Sequence, residues 1–421
     1  MKLLIKNVLV IHEGSSFHDR RVDILIESGN ITTIGANLDV EVDQVVKGQN
    51  LIATIGLCDI GTHSGEPGFE HLETVESLCK SALAGGYTAL AVMPNLHPVT
   101  QTRSDINFLK NHPNRHGVEI YPLGALSKNL DGKDINEYFE MKSSGTVCYT
   151  DGLKPIENPG LLIRALQYAS PLGGSILHHP SFDGHESDYD MHEGIQSTLL
   201  GLRGLNTLAE NSTLYRDIEL ASYTNGHLIE HCISSGNGLK LAASSEGFDK
   251  IRTTVSYMNL LFTDKNLFEF DSNFKVIPVL RSEEDRQKLI EGIRLGQVDC
   301  IVSNHRPWDE EAKNLEFSYA KPGCIGLQTC LPASIDGLKE AIDLSTLLKC
   351  FTTAPREILN LEVPKIEENE VANLCIIDLE NPWTYSKENN KSKSKNTPFF
   401  DHQFSSQVIC TIHGKSSYFT M

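Results

Sequence analysis

Residues 55–95 read IGLCDIGTHSGEPGFEHLETVESLCKSALAGGYTALAVMPN. The stretch opens with one apolar run, IGLCDIGTH (55–63), and closes with another, YTALAVMPN (87–95), ending in His63 and Asn95. Between them, ETVESLCKSALAGG has apolar residues at helical spacing and stops at a glycine pair. A short apolar run, a helix-sized interval and a second apolar run form the pattern of a strand, a crossover helix and a parallel strand.

The alternation continues along the chain. VEIYPLGAL, TVCYTD, SILHHP, HLIEHC, KIRTTVSY and VDCIVSNH follow, separated by intervals such as NPGLLIRALQYAS, which makes eight βα steps in all. Eight steps are what a (β/α)₈ barrel requires, and in that fold chemistry sits at the C-terminal ends of the strands. At the chain ends, LLIKNVLVIHEG, RRVDILIESGNITTIG, ANLCIIDL and SSQVICTIHGKSSYF alternate apolar and polar residues, so both ends read as β. The lysine- and asparagine-rich stretch SKENNKSKSKNTPFF reads as a solvated loop.

Composition narrows the class. The chain has 421 residues, a hydrophobic fraction of 40% and a formal net charge of -18, with a pI near 5.3. This balance argues against an electrostatic grip on nucleic acid or anionic lipid. There is no run of 18 apolar residues, and MKLLIKNVLVIHEG is interrupted too early to be a signal peptide, so a cytoplasmic protein is expected. The ten cysteines stand singly inside apolar runs such as TVCYTD and VDCIVSN, without paired zinc spacing, and read as reduced core residues.

Polar residues at the ends of apolar strands need partners, because unpaired burial is costly. Here they are His63, Asn95, Asp151, His179, His231 and Asn304. Any one histidine alone reads as a hydrogen-bonded core residue. Three imidazoles and the Asp151 carboxylate converging from four strand ends instead suit a catalytic zinc-type ion with an open position for water. In an alternating strand only one of His178 and His179 can face inward, and His179, just before Pro180, is the choice.

The run DIGTHSGEPGFEHLETVESLCKSALAGGYTALAVMPNLHPV resembles the dihydroorotase family of cyclic amidohydrolases, with its D-x-H-x-H-x-R-E-P-G, A-G-G-[FY]-T and M-P-N motifs. TDGLKP, HLIEHCIS, FKVIPVLRSEEDRQKLIEGI, VSNHRPWDEEAKNLEF, GCIGLQTCLP and SKSKNTPF match further family segments in order. The resemblance implies a (β/α)₈ TIM barrel over residues 53–364 and a small β-sandwich domain formed by residues 1–52 and 365–421. It implies hydrolysis or closure of the dihydroorotate ring in pyrimidine biosynthesis, with one or two zinc ions. By motif, His63 is the second histidine of the H-x-H pair, Asp151 the metal-bridging carboxylate, His179 and His231 ligands of the second ion, and Asn95 a substrate contact.

Several family positions are substituted. Gly61 stands for the first histidine, Gly65 for the arginine that holds the substrate carboxylate, Ile277 for an asparagine, Trp308 for a histidine, and Asn304 for the aspartate that binds metal and shuttles the proton. An amide has no useful proton affinity near neutral pH. Both glycines then occupy places where only chemistry asks for a larger group. His305 and His178 are the candidates left to move a proton.

Three functions follow. The first is a dihydroorotase or other cyclic amidohydrolase using one zinc at Asp151, His179 and His231. The second is a silent homologue without metal, kept as a homodimer and as an assembly partner, with aspartate carbamoyltransferase as the candidate partner. The third is a small-molecule binder whose pocket is lined by Trp308, Ile277 and the histidines. The second is preferred, narrowly over the first.

Overall fold

Short segments of alternating apolar and polar residues form the first strands, β1 (Lys2–Val10), β2 (Arg21–Glu27), β3 (Asn30–Gly35), β4 (Gln44–Val46) and β5 (Leu51–Ile55). The computed structural model describes residues 2–152, 154–181, 188–244 and 250–420. The barrel begins with β6 (Leu57–Thr62), β7 (Tyr87–Val92) and an interrupted third strand, β8 (Glu119–Pro122) with β9 (Gly124–Ala125). β10 (Cys148–Thr150) and β11 (Ser175–His178) follow, then a small parallel ribbon of β12 (Met191–His192) and β13 (Gly204–Leu205). β14 (Leu228–Glu230), β15 (Ile251–Ser256) and β16 (Cys300–Val302) complete it.

These strands coincide with the eight apolar runs, and their ladders are parallel. Both faces of β7 are buried, which explains its unbroken apolar run.

Side chains tie the eighth strand to the first. Asp59, fully buried in β6, accepts the Ser303 N–H at 2.8 Å, the Ser303 hydroxyl at 2.6 Å and the Thr62 hydroxyl at 2.5 Å. Beside it the His63 N–H donates to the His305 carbonyl at 3.0 Å. Burial pushes the Asp59 carboxyl above its usual range, and the Ser303 hydrogen bonds oppose that shift.

After the barrel come β17 (Asn373–Asp378), β18 (Trp383–Thr384), β19 (Gln403–Phe404), β20 (Gln407–His413) and β21 (Ser416–Phe419). β17 inserts between β5 and β20, so hydrogen bonding runs β21-β20-β17-β5-β1-β2-β3, with β4 beside β1. Both chain ends thus build one β domain. Alternate residues, among them Leu3, Ile5, Ile24, Ala53, Ile55, Leu374, Ile376 and Ile412, share its core. Cys375 and Ile377, facing the other way, join the core around the barrel. The Thr88 hydroxyl links the two parts, donating to Asn373 Oδ1 and accepting from Arg356. All ten cysteines are buried free thiols, as expected.

The stretch SKENNKSKSKNTPFF is not a solvated loop. Ser392, Ser394, Asn396 and Thr397 are buried, while Lys393 and Lys395 point out. Buried Glu73 accepts the Lys393 N–H at 3.0 Å and the hydroxyls of Ser392 and Ser77. Asn396 donates to the carbonyls of Arg306 and Gly323 at 2.9 and 3.0 Å. The segment is a polar strap holding the first and eighth strand-end loops together, and its composition looked solvated because its partners are polar too.

Asp59→Ala would orphan the buried Ser303 N–H and hydroxyl. At about 1–3 kcal/mol per unsatisfied group, the expected loss of stability is about 3 kcal/mol, read from the urea midpoint. An unchanged midpoint would show that the ring is closed by other means.

Candidate active site

The strand ends deliver the expected residues to one end of the barrel. His63 follows β6, Asn95 lies just past β7, and Asp151, His179, His231 and Asn304 follow β10, β11, β14 and β16. Asp151, His179 and His231 are almost fully buried.

Strand alternation sends His178 and His179 to opposite sides. His178 Nε2 accepts the Ile156 N–H at 2.9 Å, so Nδ1 carries the proton and donates to Asp217 Oδ2 at 2.5 Å. Asp217 lies on the helix Leu208–Thr224, behind the strands. His179 Nδ1 lies 3.1 Å from the His231 carbonyl. His231 Nδ1 is 2.9 Å from the Thr254 hydroxyl, and its Nε2 is 3.4 Å from Cys232 Sγ. Burial, then neighbouring His179, pushes the His231 imidazole down to about 3. Burial also holds His63 well below its usual range, helped by Arg306 and His231. Both rings are neutral near pH 7. The His63 Nε2 is shut off from solvent without a hydrogen-bond partner.

Asp151 is turned to a residue that sequence reading missed. Its Oδ1 accepts the Ser127 N–H at 2.9 Å and its Oδ2 the Ser127 hydroxyl at 2.5 Å. Burial raises the Asp151 carboxyl, and these two bonds oppose the rise. The only sequence signal for Ser127 is its place one residue beyond the third apolar run. Asn95 Nδ2 lies 3.4 Å from the Asp151 carbonyl.

The substituted positions are occupied in different ways. Gly61 has φ +86°, and a Cβ there would stand 2.5 Å from His231 Nε2, so the His231 ring fills the place of the missing side chain. At Gly65 a Cβ would meet the Phe69 and Glu73 carbonyl oxygens at 2.3 and 2.4 Å. This corrects the expectation that only chemistry asks for a larger group at 65. The turn after β6 folds back so tightly, with the Phe69 N–H on the Gly65 carbonyl at 2.6 Å, that backbone takes the space. Asn304 lies at φ +44° and donates from Nδ2 to the Ile277 carbonyl at 2.7 Å.

His305 Nδ1 accepts the Gly326 N–H at 3.2 Å, and its Nε2 faces Glu73 Oε2 at 3.4 Å beneath the strap. Trp308 Nε1 donates to the Pro322 carbonyl at 2.9 Å, and its N–H donates to Asn396 of the strap at 3.1 Å. Ile277 is buried at the Asn304 contact.

A metal ion needs donor atoms that converge. Among the described residues, the group of three or more acidic, histidine or cysteine side chains with ligand atoms within 4.8 Å of one another is His178, Asp217 and Glu230. No three of His63, Asp151, His179 and His231 reach that closeness. The orphaned His63 Nε2 suits an ion, but the Ser127 bonds on Asp151 and the His231 ring lying against Gly61 do not, so this set does not fit one as arranged. The His178 group is a candidate by distance, yet its histidine nitrogens are both hydrogen-bonded. Asp217 also accepts Arg216 Nε at 2.7 Å, and burial and the Asp217 charge hold the Glu230 carboxyl well above its usual range.

The model of a family described as dihydro-orotase-like matches residues 50–237. A dihydroorotase of Syntrophotalea carbinolica is 33% identical over 416 residues, covering 98% of this chain and 97% of that protein. One from Syntrophus aciditrophicus is 35% identical over 422 residues, covering 98% of each. Among solved structures, L-hydantoinase (dihydropyrimidinase) from Arthrobacter aurescens superposes with a TM-score of 0.82 at 20% identity, over 99% of this chain and 95% of that one. That likeness shows the shared barrel and β domain.

Gly65→Arg should therefore lower stability by about 3 kcal/mol or leave insoluble protein, since the clash is with backbone. A soluble variant with an unchanged melting temperature would contradict the close turn. His231 gives a second expectation. Its imidazole binds a proton at about 6.5 in the unfolded chain and at about 3 in the fold. Its stability contribution is complete above the unfolded value and lost as pH falls toward the folded one. From pH 7 to 5 the native protein should lose about 2 kcal/mol relative to His231→Gln by linkage. Parallel denaturation curves at the two pH values check this, and a constant difference would refute it.

Proposed function

Because the chain belongs to the dihydroorotase family, we propose that it is a dihydroorotase-like protein whose hydrolysis of dihydroorotate is impaired or lost, kept as an assembly partner in pyrimidine biosynthesis. The observation that carries this reading is the His231 ring lying in the space of the absent residue 61 side chain. A place for one metal ligand has become packing.

Opening a cyclic amide needs an activated water, stabilisation of the carbonyl oxygen, and a proton for the leaving nitrogen. At position 304 this chain offers an amide already bonded to a backbone carbonyl. Losing a positioned acid or base alone costs about 10²–10⁴ in rate. Without an arginine at 65, a charge-assisted contact worth about 1.5–3 kcal/mol is also missing. Both ring nitrogens of His178 are hydrogen-bonded, which argues against it as the replacement proton carrier, whereas the buried His305 Nε2 makes no hydrogen bond and faces Glu73 at 3.4 Å. The alternative, an active zinc-dependent cyclic amidohydrolase using Asp151, His179 and His231, draws on one observation, the partnerless His63 Nε2. A rearrangement that frees Asp151 from Ser127 would be its precondition.

An assembly role draws support from the surface. Ile195 and Leu199, on the helix Ile195–Leu200, and Leu208, Tyr215 and Tyr223, on the helix Leu208–Thr224, are 60–77% exposed. Exposed apolar side chains that lie together on a surface mark interaction sites. We assign it to a homodimer, and to aspartate carbamoyltransferase as the candidate partner.

The native protein, assayed with zinc in both directions of the dihydroorotate reaction, should show no turnover above background and hold less than stoichiometric zinc. Brisk zinc-dependent conversion would overturn the reading. Leu199→Glu with Tyr223→Glu should convert the dimer to monomer in sedimentation without loss of fold. A native protein that is monomeric and binds no carbamoyltransferase would remove the assembly role.

A further inference from the structure

A cleft far from the barrel centre collects positive charge on a chain whose formal net charge is -18. It lies between β21 with neighbouring segments of the β domain and the helix Val75–Ala84, which contributes Lys80, and its volume is about 690 Å³. That is within the range of about 300–1,000 Å³ typical of small-molecule sites. Lys80, Lys391, Lys415 and His116 line it, and among the described residues no carboxylate does. Lys80 is bonded to Glu76 at 2.6 Å, and Glu76 also faces His116 at 3.7 Å. Among the described residues, neither Lys391 nor Lys415 has a carboxylate partner. Two lysines without a carboxylate partner among the described residues, in a concave site beside a third that Glu76 already pairs, draw an incoming anion.

The walls also carry aromatic surface. Trp383 is held by its Nε1–H on the Ser406 carbonyl at 2.9 Å and by packing against Phe404, with ring centroids 5.5 Å apart. Its indole is therefore oriented before any ligand arrives. Tyr418 of β21 is half-buried in the same cleft. Aromatic faces beside lysines suit a ligand with a planar ring at one end and negative charge at the other.

We propose that this cleft binds a nucleoside polyphosphate, with Lys391, Lys415 and Lys80 on the phosphates and Trp383 and Tyr418 against the base. The site is independent of the central cluster, so it stands whether or not the barrel hydrolyses anything.

Calorimetric titration of the full chain tests it, with ATP, UTP, adenosine, inorganic tripolyphosphate and a glutamate-rich peptide as separate probes. Saturable binding of ATP or UTP is expected, at least about tenfold tighter than adenosine or tripolyphosphate and weakening as salt rises. Lys391→Glu with Lys415→Glu, the first half-buried and the second exposed, should weaken it at least about tenfold with unchanged circular dichroism. Quenching of Trp383 emission, separated from Trp308 in a Trp308→Phe background, should saturate in step with the heat. No saturation by either nucleotide, tripolyphosphate binding as tightly as nucleotide, or an unaffected lysine variant would each overturn the proposal. Tighter binding of the acidic peptide would overturn it in favour of a protein-docking surface.

Discussion

The Asp59 carboxylate holds first and last barrel strands together from a position with no solvent exposure. A parallel barrel of eight strands places side chains at its centre only if the ring is closed in one register. Here the closure is local and polar, made by one carboxylate on the Ser303 N–H and hydroxyl and by the His63 N–H on the His305 carbonyl. Those bonds place residues 63 and 305 side by side. Every relation at the mouth of the barrel rests on that register.

Around this anchor the centre is closely packed. Burial keeps His231 and His63 neutral, so the rings can share a small volume without repulsion. With no Cβ at 61, the His231 ring occupies the room beside that glycine. Asp151, which would carry negative charge into such a site, is compensated by two hydrogen bonds from Ser127. The cluster behind the strands balances itself in the same way: Asp217 is hydrogen-bonded by His178 and Arg216, and burial favours the neutral form of Glu230.

The polar strap from Ser392 to Asn396 does for the loops what Asp59 does for the strands. Glu73 and Asn396 satisfy buried backbone and hydroxyl groups contributed by chain segments far apart in sequence. Its serines face inward and its lysines outward, with the two-residue period of an extended chain. Hydrophilic composition and deep burial are compatible when each polar group has a partner.

Periodicity and residue type were enough to locate all eight barrel strands, the β character of both ends, the ten reduced cysteines and the strand-end histidines, because these patterns are written within a few residues of one another. Motif order along nearly the whole chain placed it in its family and showed which side chains are absent at 61, 65 and 304. Only the tertiary structure decided what fills those places: an imidazole against Gly61, backbone against Gly65, and a carbonyl bonded to Asn304. It alone paired Asp151 with Ser127 and Glu73 with a strap some 320 residues later in the chain. Such partners meet through packing of distant segments, and local spacing carries no record of which distant group arrives.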